Sequence, residues 1–171
     1  METTKRPNAG IPAAARLLCA LVALVFASCS QGVVFDDYEN LAKGGWDKDS
    51  LAVFRADIED SVGVYDIWVQ LRNDNDYAFS NLWLFIDVIS PEGVSRRDTL
   101  ECILARPDGA WIGSGWGSLY SVRCPYKRSV MFSKAGSYTF RITQGMRTDC
   151  LAGLHDIGLL IQQVPEPQQA K

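Results

Sequence analysis

The side chains of this chain that can do chemistry are few, and the densest set is acidic and amidic. "LRNDNDYAFSNLWLFI", residues 71–86, places Asn73, Asp74, Asn75 and Asp76 between two runs that read as buried strands. Acids at alternate positions can supply oxygen ligands to calcium. An EF-hand loop also needs a central glycine and a closing glutamate, and neither follows here. Asn and Asp favour loops because their side chains hydrogen-bond nearby backbone and tolerate left-handed conformations. The segment is therefore read as a turn or surface loop. Contact with a partner or ligand through Asn73, Asp74, Asn75, Asp76 and Tyr77 is the second reading.

A nucleophile triad needs a base that changes charge near neutrality, and His155 is the only histidine. It sits in "GLHDIGLL" beside Asp156, with no GxSxG-type elbow in the chain. It reads as a surface or strand-end residue. The paired carboxylates Asp36-Asp37, Asp57 to Asp60 and Asp74/Asp76 lie in polar stretches without the apolar setting that would raise one pKa for acid–base work. "PDGAWIGSGWGS", residues 107–118, spaces Gly113, Gly115 and Gly117 as an anion cradle might, yet lacks the Gly-Lys-Ser/Thr and helix start of a phosphate loop. Trp111 and Trp116 either cover the end of the fold or stack on a partner or sugar ring. No catalytic residue, metal site or cofactor is expected.

The first thirty residues carry a different signal. Lys5, Arg6 and Arg16 precede an apolar stretch, Leu17 to Ala27, followed by Ser28-Cys29. This is the order of a secretory signal, and it is too short for a spanning helix of roughly 20 residues. Small residues before Cys29 resemble the lipobox of bacterial lipoproteins, where the cysteine is lipidated and becomes the mature N-terminus. The alternative is an ordinary signal peptide with Cys29 a bystander. Residues 1–28 hold three of the 17 basic and one of the 20 acidic residues, so the mature net charge is −5. That balance argues against nucleic acid, whose binding rests on Lys and Arg. Beyond Cys19 and Cys29, Cys102, Cys124 and Cys150 allow one disulfide plus one free thiol, or three free thiols.

The elements that position these residues follow from a period of two. Tyr65, Ile67, Val69 and Leu71 alternate with Asp66, Trp68, Gln70 and Arg72, and Leu82, Leu84, Ile86 and Val88 alternate with Trp83, Phe85, Asp87 and Ile89. Tyr138, Phe140 and Ile142 repeat the pattern. Further short strands are expected near 51–58, 96–104, 118–123 and 156–163, separated by Pro/Gly turns. About seven or eight strands with no helical pattern after the signal predict an all-β single β-sandwich, immunoglobulin-like or jelly-roll. The expected organisation is a signal peptide (1–28), a lipidated tether (29–49) that packs through Phe35, Tyr38 and Trp46, the sandwich (50–164) and a flexible tail (165–171).

Taken in order, "VFDDYENL" (34–41), "WDKDSLAVF" (46–54), "YDIWVQLRNDNDYAFSNLWLFI" (65–86), "DTLECILARPDGAWIGSG" (98–115), "GSYTFRITQGMR" (136–147) and "LHDIGLLI" (154–161) resemble the gliding-motility lipoprotein family GldH of Bacteroidetes. The resemblance implies a non-enzymatic envelope lipoprotein, held in the lipid bilayer through Cys29. It implies association with other envelope proteins of the gliding machinery, which overlaps the type IX secretion apparatus. The residues after Cys29, Ser30-Gln31-Gly32-Val33, lack the acidic run of a surface-export signal, so the outer membrane facing the periplasm is expected. A glycan-binding sandwich remains the alternative function.

Overall fold

The computed structural model describes residues 32–165. The expected signal peptide, Cys29, and the tail beyond Pro165 lie outside the described residues. The described chain is all β, with strands β1 (Val33–Asn40), β2 (Trp46–Asp47), β3 (Ala52–Ile58), β4 (Tyr65–Asn73), β5 (Asn81–Ile89), β6 (Ser95–Ile103), β7 (Ser114–Trp116), β8 (Leu119–Val130), β9 (Gly136–Gln144), β10 (Cys150–Leu151) and β11 (Leu154–Gln163). One sheet runs β1-β11-β4-β8-β7 and the other β3-β9-β5-β6, with β10 and β2 forming a small ribbon. Every pairing is antiparallel.

Of the two sandwich types expected, the strand order selects the jelly roll. Among the long strands, the chain changes sheet at every connection except β5 to β6, and the last strand, β11, pairs between β1 and β4. That is a double Greek key of eight long strands. An immunoglobulin sandwich would instead keep its early and middle strands in the ABED and CFG sets. The alternating positions read from sequence face inward. Ile67, Val69 and Leu71 on β4, and Ile157, Leu159 and Ile161 on β11, pack toward Leu82, Leu84, Ile86, Phe140 and Ile142 of the facing sheet. Each such side chain, fully buried, contributes roughly 1.5–3 kcal/mol.

The tether expectation needs correction. Val33–Asn40 is not a linker but the edge strand of the larger sheet, in register with β11 from Val33↔Gln162 to Asn40↔Asp156. Its inward side is only partly buried, at Phe35, while Tyr38 is half-buried on the outer face and the other polar residues of the strand are exposed. The alternation that exposes a central strand in a sequence is therefore blurred here. The domain accordingly begins at Gly32 and not at residue 50, and Trp46 is a core residue. The expected strand 118–123 is longer, reaching Val130 through Pro125. Its neighbour β7 covers only as far as Ser121, so β8 is an edge where Pro125 needs no ladder donor.

The outer face of the larger sheet is closed by polar groups. Gln70, 1% exposed, accepts from Tyr38 Oη at 2.8 Å and donates to Asp36 Oδ1 at 2.6 Å. Arg72 lies over the Tyr38 ring, 4.3 Å from its centroid. Gly158 makes room for that ring, since a Cβ there would stand 2.8 Å from both the ring and the Asp37 carbonyl oxygen. The three cysteines among the described residues are free thiols: Cys102 and Cys124 are buried and Cys150 is exposed. A hydrogen bond with Cys124, together with burial, raises the pKa of the Cys102 thiol.

Gly158→Ala is expected to force Tyr38 outward and loosen β1 first, at a cost of about 1–3 kcal/mol from overpacking. Amide hydrogen exchange reads this directly: residues 33–40 should be protected in the wild type and lose protection ahead of β4. Wild-type exchange of 33–40 at the rate of an unstructured peptide would restore the tether.

Candidate functional site

The acidic segment runs from Asn73, the last residue of β4, through the β4–β5 loop (74–80), whose conformation is held by its own side chains and by β11. Asp74 Oδ1 accepts the Asp76 backbone N–H at 2.8 Å, an Asx turn, while the Asp74 N–H donates to the Gly153 carbonyl at 2.9 Å. Its second oxygen, Oδ2, lies 2.7 Å from His155 Nε2 at the start of β11. The hydrogen bond to His155 is the main cause that draws the Asp74 pKa below its ordinary value. Asn73 is buried and donates through Nδ2 to the Asp74 carbonyl at 3.3 Å. Asp74 thus belongs to the turn, in keeping with the first reading of the loop.

Tyr77 turns inward at the far side of the loop. Its hydroxyl donates to the Asn81 carbonyl at 2.8 Å, and burial raises its pKa well above that of a free phenol. Asn81 in turn donates from Nδ2 to Glu101 on the neighbouring strand at 2.6 Å. The Tyr77 ring meets Phe79 edge-on at 5.7 Å and Trp111 at 6.5 Å. Gly153 fits against this loop because it takes φ +77°. A Cβ there would fall 2.1 Å from the Tyr77 nitrogen.

The second loop, after β6, folds onto the first. Leu104 and Ala105 donate backbone N–H groups to the Ser80 carbonyl, and Ile112 N–H closes back on the Leu104 carbonyl at 2.8 Å. This brings Trp111 over Tyr77, where its Nε1–H donates to Asn75 Oδ1 at 2.9 Å. The other side of the indole faces Tyr120, 5.9 Å away. Trp111 therefore covers the end of the sandwich.

Trp116 behaves differently. It ends β7 at the tip of a hairpin whose turn is Gly117-Ser118, and it is 96% exposed. Gly113 and Gly115, whose spacing alone does not make a phosphate loop, serve close strand approach. A Cβ on Gly113 would meet the Ser121 carbonyl oxygen at 2.8 Å, and one on Gly115 would meet that of Leu119 at 1.7 Å. Ile112 and Leu119 add exposed apolar surface to the same end.

The structure thus brings Asn73, Asp74, Asn75, Asp76, Tyr77 and Trp111 together in one knitted end. Trp116 projects from the same end without packing on them. Sequence reasoning missed the partners that hold this end, His155, Gly153 and Tyr120. His155 lies 81 residues from Asp74, and no local pattern links them. Beside them lies a shallow depression of about 530 Å³, bordered by Lys43, Asp74, Asp76, Gly153 and His155. No group of three His, Cys, Asp or Glu side chains arranged to hold a metal ion occurs among the described residues. Cys29 lies outside them.

The depressed Asp74 pKa sets a sign. A carboxylate held below its unfolded value stabilises the fold fully above that value, near 3.8, and the contribution fades as pH falls through the lower folded one. Asp74→Asn is expected to cost less than about 1 kcal/mol at neutral pH, because the pair with His155 is partly exposed. Urea unfolding of the two proteins from pH 7 to pH 2 should show the difference closing below the ordinary carboxylate range. A gap that persists unchanged at the acid end would mean the oxygen's charge is immaterial.

Comparison with known proteins supplies the family. The model of the GldH lipoprotein family matches residues 33–161. The Gliding motility lipoprotein GldH homolog of Christiangramia forsetii is 37% identical over 147 residues, covering 82% of this chain and 90% of that protein. The Gliding motility lipoprotein GldH of Flavobacterium johnsoniae is 35% identical over 150 residues, covering 84% and 92%. Among solved structures, the CBM22-1 xylan-binding domain of Paenibacillus barcinonensis Xyn10C aligns with TM-score 0.36 at 9% identity, covering 82% of this chain and all of that domain. The infectious bursal disease virus VP2 subviral particle aligns with TM-score 0.33 at 14% identity, covering 76% and 30%. Neither of these two distant likenesses bears on what the chain binds. The family match spans the described strands from β1 into β11, and two curated relatives agree with it over most of their own length: the chain belongs to the GldH lipoprotein family.

Proposed function

We propose that this chain is a non-enzymatic lipoprotein, lipidated at Cys29, that serves as a component or accessory of the gliding and type IX secretion-associated envelope machinery. In this reading it sits on the periplasmic side of the outer membrane and docks another envelope protein through its knitted loop end. The observation that carries the docking end is Trp116. A tryptophan left almost wholly in water at a hairpin tip forfeits a large apolar burial, and tryptophan is enriched among residues that anchor protein interfaces. The loops beneath it are cross-linked by hydrogen bonds, so the tip is presented on a pre-organised base, which lowers the ordering cost of binding. Asn75, Asp76, Ile112 and Leu119 form the rim.

A glycan-binding sandwich is the second reading, favoured by the same exposed indole. It is the weaker one because Trp111, the other indole expected to stack on sugar, is committed to Tyr77 and Tyr120.

A crosslinked pull-down from native membranes tests both, comparing wild type with Cys29→Ala, Trp116→Ser and Asp76→Ser. Asp74 is left intact because it holds the loop. Gliding or secretion components should be recovered with the wild type and fall about tenfold or more with Trp116→Ser, the loss of at least 1.4 kcal/mol that truncating an interface anchor produces. Cys29→Ala should leave the membrane fraction. Recovery unchanged by Trp116→Ser would refute the docking end. No protein partner, together with polysaccharide retention that Trp116→Ser abolishes, would establish the glycan reading.

A further inference from the structure

The two ends of the sandwich are not equivalent with respect to the membrane. Gly32 accepts the Gln163 N–H at 2.6 Å, which places the start of the domain beside the end of β11. At the same end lie the β3–β4 loop (59–64), the β5–β6 turn (90–94) and the β8–β9 loop (131–135). Ile58 pairs with Gly136, Ile89 with Ser95 and Tyr65 with Val130, and the Tyr65 ring meets Phe132 at 5.1 Å. Each of these three loops carries one apolar side chain turned to solvent: Val62 at 76% exposure, Val94 at 54% and Met131 at 61%.

Only three peptide units separate Cys29 from Gly32, a reach of at most about 10–11 Å. The eight residues of β1 carry the opposite end about 25 Å further on. We infer that the end bearing Val62, Val94 and Met131 rests on the lipid surface, its three apolar tips entering the headgroup region. This rests on the reading that Cys29 is lipidated. The knitted end with Trp116 is then held away from the bilayer, where another protein can reach it.

The chemistry of the contact is apolar. Lys127 pairs with Asp98 at 3.0 Å, Arg128 with Asp66 at 2.7 Å, and Lys134 with Glu92. Arg96, exposed beside Val94 and outside these pairs, is offset by Glu59 and Asp60 of the β3–β4 loop, so anionic headgroups gain little at this face, and the contact should be insensitive to ionic strength. Side chains such as Val and Met gain from leaving water for the interface at any salt concentration, and the lipid anchor keeps them within reach of it.

The test uses the full lipidated chain in vesicles of phosphatidylethanolamine and phosphatidylglycerol. Nitroxide labels are placed singly by Val62→Cys, Val94→Cys, Met131→Cys and Trp116→Cys in a Cys150→Ser background, which removes the exposed thiol. Collision with a water-soluble nickel complex should be several-fold lower at 62, 94 and 131 than at 116, at low and high salt alike. Equal collision rates at all four sites, in protein whose mass shows the lipid on Cys29, would overturn the membrane-facing end and leave the anchor standing. A mass without lipid would overturn both. Protection at 116 with exposure at 62, 94 and 131 would invert the orientation and refute the inference.

Discussion

The fold depends on β11 finding partners on both sides. This last strand carries Ile157, Leu159 and Ile161 into the core, while Leu160 on its other face is also buried. A strand that apolar on both faces has no place at a sheet edge, where it would offer unpaired backbone and bare side chains to water. It is inserted between β1 and β4, which join the chain some 120 and 90 residues earlier on the order of sequence separation that makes such topologies slow to assemble. The first strand is therefore a structural necessity: without Val33–Asn40 one side of β11 would stand open.

That same pairing explains why the outer face of the larger sheet is polar yet closed. Gln70, Asp36, Tyr38 and Arg72 sit on neighbouring strands only because β1, β11 and β4 are adjacent in this order. A buried amide is costly unless its donors and acceptors are used. Gln70 meets that condition with Tyr38, Asp36 and Arg123. Gly158 belongs to the arrangement as the space that the Tyr38 ring fills.

At the loop end the organising group is Asp74, which accepts from its own turn and from His155. Its neighbours each link a different segment: Asn75 reaches Trp111, Tyr77 reaches Asn81, and Gly153 packs beneath Tyr77. The acidic, amide-rich run, read first as a turn and second as a partner or ligand contact, is thus consumed largely by internal hydrogen bonds. What remains free for recognition is the rim and the projecting Trp116. The entry of β1 at Gly32 at one end and this pre-organised, aromatic tip at the other give the domain a direction along β1.

Much of the architecture was legible in the residues. Alternation in 65–72, 82–89 and 138–143 located the central strands and their inward faces, because burial on one side of a pleated strand repeats every second residue. Asn and Asp at 73–76 marked a turn for local reasons that need no tertiary context. The edge strand β1 was not legible, since a half-wet strand with Asp36, Asp37 and Glu39 carries no clean alternation. Nor could the sequence separate Trp111 from Trp116: both indoles lie in one glycine-rich stretch. Only the packing of that stretch against Tyr77 and Tyr120 half-buries the first and leaves the second in water. The sequence by itself determined the central strands and the turns that join them, because alternation and turn preferences are local. The tertiary structure alone decided the jelly-roll order, the Asp74–His155 contact and the division into two unlike ends, because each arises from residues far apart in the chain that meet only when β11 is seated.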